Sequence, residues 1–448
     1  MSGRLLALSL CLALLGACAP VDANIEDLLS PPRINERQTQ VEQALSQHIS
    51  LGDIQYQYPR DGDYRSPFIF SDMDASGLMA AMVFYTSAQS GGGIRVKVLQ
   101  EQVGGDWQLI DDRAGFGDTV QIVRFANILT PYSRNLLVGW EDSGSGQRRL
   151  DVFSFRDGRL QTLYQTFYTV FDIDRFMPGA LEQIALVRQD QLGNHHLDLL
   201  GRTPDGRLTD VGNVDLSVDI YQVLGLTRGN MRPGVSGIFV DARRFDAQLA
   251  TEIFEVSGGT LFPLVADIDI ETTNVLYRQT FRPLDPALLS VDLRGNGRVV
   301  VPIPHEEELP GQVIDTELEL PLHLTLFMGY DYAGVLEVVD TAIVIEDAGY
   351  LFFFPPQWVG YVTVQHRPER DDWQFFEVNP ATNLPYPELM RIRVSSIRDY
   401  RDPFLEEYIH LADRGIFRYY GYITNNSSPL SITQEEMERD FMLLRARR

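Results

Sequence analysis

Few side chains in this sequence are spaced to do catalytic or zinc chemistry. The seven histidines are His48, His195, His196, His305, His323, His366 and His410, and no pair has the helical spacing that gathers zinc ligands on one face. His195 and His196 are neighbours, and neighbouring side chains on a strand point to opposite faces, so they cannot simply share a metal. His305 opens the run His305-Glu306-Glu307-Glu308, which reads as a solvated acidic loop. No Gly-x-Ser-x-Gly elbow, phosphate-binding loop or dinucleotide fingerprint stands in the strand–turn–helix context that such chemistry needs. Folding can still gather a serine, a histidine and an acid from distant positions. The expectation is nevertheless that no residue is catalytic and that the protein is not an enzyme.

The N-terminus carries a different chemistry. Arg4 is followed by an apolar run from Leu5 to Leu15 and then by Gly16-Ala17-Cys18. One positive charge, a short apolar core and small residues before a cut are the marks of a secretory signal. The run is too short to cross a bilayer, which takes roughly 20 residues. Leu15-Gly16-Ala17-Cys18 resembles the lipobox of bacterial lipoproteins. The resemblance implies removal of residues 1–17 and a diacylglycerol on the Cys18 thiol, with the body of the protein on the extracytoplasmic face of the cell membrane. The other cysteine, Cys11, lies inside the removed segment. The mature chain then has no disulfide, no cysteine metal cluster and no thiol nucleophile.

The elements behind this anchor follow a regular beat. Residues 18–50 read as a tether, with Pro20, Pro31 and Pro32, and then a short helix on which Val41, Leu45 and Ile49 share a face. Over 51–340, turn signals centre on Gly105, Gly158, Gly206 and Gly259, at intervals of 53, 48 and 53 residues. A β-rich stretch precedes each turn and an apolar residue follows it, at Trp107, Leu160, Leu208 and Leu261, which is a repeated hairpin signature. A second landmark at Asp72, Phe125, Asp172 and Gly225 keeps the same phase, with intervals of 53, 47 and 53 residues. A fifth unit starts at Asp292, with its closing turn near Tyr330-Asp331. Two landmarks in phase, with four strands per unit, predict a mainly β chain: a β-propeller of five or more degenerate four-stranded blades. Residues 341–448 read as a small α+β domain. Its strands lie near 343–345, 350–354, 361–364, 375–378 and 417–423. One helix is expected over Pro403–Leu411 and another behind the capping-box pattern Thr433-Gln434-Glu435-Glu436. Aromatic residues crowd Tyr350–Tyr361 and Phe417–Tyr422; they read first as core and second as a ligand groove.

Asp72-Met73-Asp74-Ala75-Ser76-Gly77 resembles the Asp-x-Asp-x-Asp-Gly loops of FG-GAP/VCBS (integrin-like) propeller repeats. The resemblance implies Asp72, Asp74 and Ser76 as candidate ligands of Ca²⁺, a hard cation that wants 6–8 oxygens. Three departures weaken it. Serine replaces the third acid, Ala80 and Ala81 occupy the place of a following acidic ligand, and the loop at 292 carries Arg294 where a second acid would stand. The competing reading is a loop whose aspartates accept its own backbone N–H groups. The arrangement is also similar to that of clostridial-type surface lipoproteins, whose activity is largely unassigned.

Charge narrows the partners. Lys and Arg number 38 against 62 Asp and Glu, a formal net charge of −24. Such a surface is repelled by nucleic acid, and its bland role is solubility. The expected function is a non-catalytic binding or scaffold module, tethered to the membrane through Cys18 and meeting an envelope protein or glycan. The alternative is a secreted hydrolase of cell-envelope polymers.

Overall fold

The computed structural model describes residues 36–444, apart from 89–90, 157, 178, 233, 259, 268–274, 285–287, 313–321, 332–334, 397–406 and 425–426. Cys18 and the signal therefore lie outside the described residues. The described strands form six antiparallel sheets. The first contains Phe68–Ser71, Ala80–Ser87, Ile94–Glu101 and Trp107–Ala114, with Ile54–Tyr56 beside the far end of its second strand. The second contains Thr119–Ala126, Asn135–Asp142, Gln147–Arg156 and Arg159–Phe167. The third contains Val170–Asp174, Gln183–Gln189, His195–Arg202 and Leu208–Asp215, and the fourth Ile220–Arg232, Val235–Arg244, Gln248–Ser257 and Thr260–Val265. All four keep their main strands in chain order, joined by hairpins.

The repeated hairpin of the sequence is present in each. Gly105, Gly158, Gly206 and Gly258 occupy its turns with φ of 83°, 69°, 85° and 59°, a region that glycine enters without steric cost. The second landmark lies between strands as expected only at Asp72; Phe125 and Ala126 end the strand Thr119–Ala126, and Asp172-Ile173-Asp174 is paired within Val170–Asp174. Gly225 and Thr227 lie inside the long strand Ile220–Arg232, whose three register shifts absorb the irregularity that reads as a turn.

Central strands are apolar on both faces, which dictates how the sheets stack. Ala80–Tyr85 is buried at every residue, and so is Asn135–Trp140. Alternate residues serve the two neighbours. Met82, Phe84, Val96 and Val98 meet Leu136, Val138 and Trp140 of the second sheet. Leu137, Leu150 and Val152 meet Ile184, Leu186 and Leu200 of the third. Ala185, Val187 and Leu199 meet Ile238, Val240 and Phe254 of the fourth. Gly139 stands where a Cβ would collide with Ile122 and the Tyr168 hydroxyl, so its lack of a side chain admits the tyrosine between sheets two and three.

The outer face of the first sheet is closed by helix α1, Glu36–Ser46, whose Val41, Ala44 and Leu45 cover Ala81, Val83 and Leu99. At the other end, the fifth sheet holds Val301–Glu308, His323–Tyr330, Leu336–Ile345, Tyr350–Phe353 and, from the C-terminus, Phe441–Leu443. Its Val301, Tyr330 and Leu336 pack on the fourth sheet. Its Ile343, Tyr350 and Phe352 pack on the sixth sheet, built from Val362–Arg367, Asp372–Asn379, Leu384–Ser396, Ile409–Arg414 and Phe417–Ile423. Among the described residues no core cluster joins the first sheet to the fifth or sixth.

Two expectations for the C-terminal part need correction. The boundary at 340/341 falls within the strand Leu336–Ile345, and Phe441–Leu443 returns to the same sheet, so the fifth sheet draws on both expected domains. The helix expected over 403–411 lies partly outside the described residues, and its end is strand: Ile409–Arg414 pairs with Phe417–Ile423. Tyr408 and Leu411 carry a helical spacing, but Ile409 and Leu411 pack on the core while His410 between them is exposed, which is a strand alternation. The capping box is present: Thr433 accepts the Glu436 N–H and Glu436 accepts the Thr433 N–H, opening α2, Gln434–Asp440. Tyr350, Phe352, Phe354 and Trp358 are core, and the Trp358 indole donates to the Leu430 carbonyl at 2.7 Å.

Two substitutions probe this packing. Leu45→Ala should cost about 2–5 kcal/mol in chemical denaturation, because it leaves a void between α1 and the first sheet; a loss below ~0.5 kcal/mol would mean that α1 covers nothing. Arg282 is fully buried against Asp241 at 2.8 Å, and the Ser290 N–H and hydroxyl and the Thr251 hydroxyl also donate to that carboxylate. Arg282→Met leaves the carboxylate uncompensated and should destabilise by about 3–5 kcal/mol in the same assay.

Candidate functional site

The loop read as a calcium candidate closes on itself. Asp72 Oδ2 accepts the Gly77 N–H at 2.9 Å, Asp74 Oδ1 accepts the Ser76 N–H at 3.2 Å, and Ser76 Oγ accepts the Leu78 N–H at 3.3 Å. Ala75 and Gly77 take positive φ, so the loop turns back under its first carboxylate. The loop at 292 repeats the device: Asp292 accepts from Asn296 and Gly297 at 3.1 and 2.8 Å, and Asn296 accepts from Arg298 at 2.9 Å. Its Arg294 turns away to pair with Asp340 at 2.6 Å and lies over the Phe353 ring. Asp172 and Asp174 face Arg228 of the fourth sheet, at 3.5 and 2.5 Å. Among the described residues no group of three or more His, Cys, Asp and Glu side chains is arranged to hold a metal. Asp72 Oδ1 is buried and has no hydrogen-bond partner among the described residues.

A second arrangement was not legible in the sequence. A cleft of about 380 Å³ opens on the third sheet, lined by Arg188, Gln189, Asp190, His196, Asp198, Asn213 and Asp215. Antiparallel register assembles it. Arg188 lies opposite His196, and His196 opposite Asp215, across three adjacent strands. The His195-His196 pair splits as strand geometry requires: His195 is buried on the other face, where loss of water pushes its pKa down, and His196 faces the cleft.

His196 stands between two acids. Its Nδ1 lies 2.7 Å from Asp215 and its Nε2 lies 3.4 Å from Asp190. Asp190 sits in the hairpin 190–194. Against the upward push of desolvation, the Asn194 backbone and side chain and the Leu192 N–H hold its carboxyl down at about 2. Asp198 is almost fully buried, which raises its pKa, while Arg188 opposes that rise through two contacts on the carboxylate. Arg188 also reaches toward Asp210, at 3.8 Å. Of the cleft acids, Asp215 is the most open, with 72% of its side chain exposed. The arrangement presents carboxylate oxygens and the Asn213 amide to a ligand. It offers hydrogen-bond acceptors more than donors.

No protein-family model and no curated protein matches the chain. Solved structures resemble it only distantly. The exotype rhamnogalacturonan lyase YesX is 9% identical, with a TM-score of 0.31 over 74% of this chain and 73% of its own. The Dos1 propeller is 10% identical, with a TM-score of 0.28 over 67% and 78%. The exo-β-1,3-galactanase from Phanerochaete chrysosporium is 8% identical, with a TM-score of 0.29 over 76% and 79%. Likeness at this level assigns no activity to the chain.

A thermal melt separates the two readings of the 72–77 loop. With Asp72 and Asp74 oxygens already accepting backbone N–H groups, adding Ca²⁺ or a chelator should leave the midpoint unchanged. Asp72→Ala should lower stability by about 0.5–1.5 kcal/mol for the lost hydrogen bond. A midpoint that rises with Ca²⁺ and returns with chelator would restore the metal site.

Proposed function

We propose that the protein is a lipid-anchored, extracytoplasmic recognition module. Its first five sheets act as propeller-type blades, capped by α1 at one end and by the C-terminal unit at the other. It binds an envelope partner at the cleft of the third sheet, and that partner supplies hydrogen-bond donors or positive charge. The observation that carries this reading is His196 held between Asp190 and Asp215 at a cleft where Asp190 and Asp198 are engaged by other groups and Asp215 faces solvent. A general acid must hold a transferable proton near working pH, and a general base needs a free lone pair aimed at substrate. Asp190 is held ionised by backbone donors, Asp198 is buried under Arg188, and Asp215 is taken up by His196. That set favours holding a ligand over transferring its protons. The net charge of −24 adds a long-range pull on a basic partner.

The hydrolase reading keeps one supporting observation. The two buried-to-exposed acids of the cleft are pushed in opposite directions, Asp190 down and Asp198 up, which is a pattern seen where acid and base roles are divided.

Crosslinking in living cells, followed by recovery through a C-terminal tag, tests the proposal. The wild-type chain should capture a reproducible envelope partner. Cys18→Ala should lose it by releasing the chain from the membrane. A double variant, His196→Gln with Asp215→Asn, should lose it while the chain stays membrane-bound and folded. Capture that survives the double variant would remove the cleft from the binding surface. Release of soluble fragments from isolated envelope polymers by the purified wild-type chain would favour the hydrolase.

A further inference from the structure

We propose that Glu252 is a proton-operated latch on the connection between the third and fourth sheets. The connection is Leu216–Asp219, which joins the strand ending at Asp215 to the one starting at Ile220. Glu252 lies on a central strand of the fourth sheet, with none of its surface exposed. Its Oε1 accepts the Ser217 N–H at 2.9 Å, and its Oε2 is buried with no partner among the described residues. Three further bonds fix the same connection. The Leu216 N–H donates to the His195 carbonyl at 2.9 Å, Ser217 Oγ accepts the Asp267 N–H at 2.8 Å, and the Asp219 carbonyl accepts the Phe245 N–H at 3.0 Å.

The charges around Glu252 make its protonation state matter. Asp219 of the connection and Asp267 beyond the fourth sheet both act on it as like charges. The Tyr277 hydroxyl, from the short helix Val275–Arg278, donates to Asp219 at 3.1 Å, so it adds no positive charge. Arg244 is the cation on this side, and it is committed to Asp219 at 2.9 Å and Asp246 at 3.2 Å. An ionised Glu252 therefore faces two carboxylates, with a buried oxygen that nothing solvates. A neutral carboxyl keeps the Ser217 bond and carries no charge to bury. Burial is the largest influence and raises its pKa; the Ser217 hydroxyl and N–H oppose the rise, the two acids add to it, and the outcome is a shift from 4.5 up to about 8.

Ionisation expels the side chain and frees Ser217. The loosened segment carries Val218, which is 62% exposed, and it adjoins Asp215 of the cleft. The latch is independent of what the cleft binds. The sign of the linkage is fixed by the direction of the shift. The stabilising contribution is fully present below the unfolded-state value of 4.5 and is lost as pH rises to the folded-state value of about 8.

Glu252→Gln, a neutral side chain of the same shape, tests the latch by denaturation across pH and by amide exchange at Leu216–Ile220. Relative to the variant, the wild-type unfolding constant should grow about tenfold per pH unit across that window. Exchange at the connection, corrected for its intrinsic pH dependence, should rise in the wild type above about pH 8 and stay low in the variant. Parallel profiles for the two chains would overturn the proposal. So would a variant that fails to fold at about pH 6, where amide and neutral acid should be interchangeable. Loss of protection spread evenly over the fourth sheet, rather than confined to the connection, would leave a buried acid and no latch.

Discussion

Burial on both faces of each central strand is the constraint on which this structure depends. A four-stranded antiparallel sheet that is apolar on one side can leave the other to water. Here the strands Ala80–Ser87, Asn135–Asp142, Gln183–Gln189 and Val235–Arg244 are apolar on alternate residues of both parities, so each sheet needs two partners. Stacking in chain order supplies them for the second, third and fourth sheets; the connections 115–118, 168–169 and 216–219 are short, and only 266–300, between the fourth and fifth sheets, is long. The first and fifth sheets are then the ends of the stack, and their remaining apolar faces need cover. Helix α1 serves one end. At the other, one face of the fifth sheet is divided between the fourth and sixth sheets, and the returning strand Phe441–Leu443 pairs along its edge.

This explains which parts of the fold could be read in advance. The hairpin beat was legible because the sheets are assembled from local steps, and glycine must recur where the chain turns with positive φ. The cap was legible as a face, since Val41 and Leu45 fall on one side of a helix, but its target was not. The expected boundary at 340/341 failed for a non-local reason. Strand Leu336–Ile345 has no turn signal at its midpoint, and nothing local in the sequence indicates that Phe441–Leu443 belongs beside Tyr350–Phe353. The misread segment at 408–411 shows the same limit: Tyr408 and Leu411 fit a helix spacing, Ile409 and Leu411 fit a strand alternation, and pairing with Phe417–Ile423 decides.

The cleft was hidden by a similar effect. Its members come from four separate positions in the chain, 188–190, 196–198, 213 and 215, and only strand register makes them neighbours. The prominent motif, by contrast, was the local one at 72–77. Its aspartates accept N–H groups of their own loop, as short polar side chains spaced by two do. A repeated aspartate loop is thus weak guidance to function in this architecture. Asp292 performs the same service with an arginine in its midst.

The fourth sheet is not apolar throughout. Asp241 and Arg282 are buried together on the face it turns to the fifth sheet, with Thr251, Thr280 and Ser290 around them, while Glu252 is buried on the face toward the third. Apolar residues of equal volume would serve stability as well or better, because desolvating charges costs more than a good pair returns. What polar groups add is direction. The Arg282 guanidinium also donates to the Leu288 and Thr280 carbonyls, and Asp241 receives the Ser290 N–H, so the pair pins chain segments that have no place in the ladders. These segments surround the long strand Ile220–Arg232, whose register shifts would otherwise leave its neighbours free to slide. A single arrangement of the irregular sheet is thereby specified where hydrophobic contact alone would accept several.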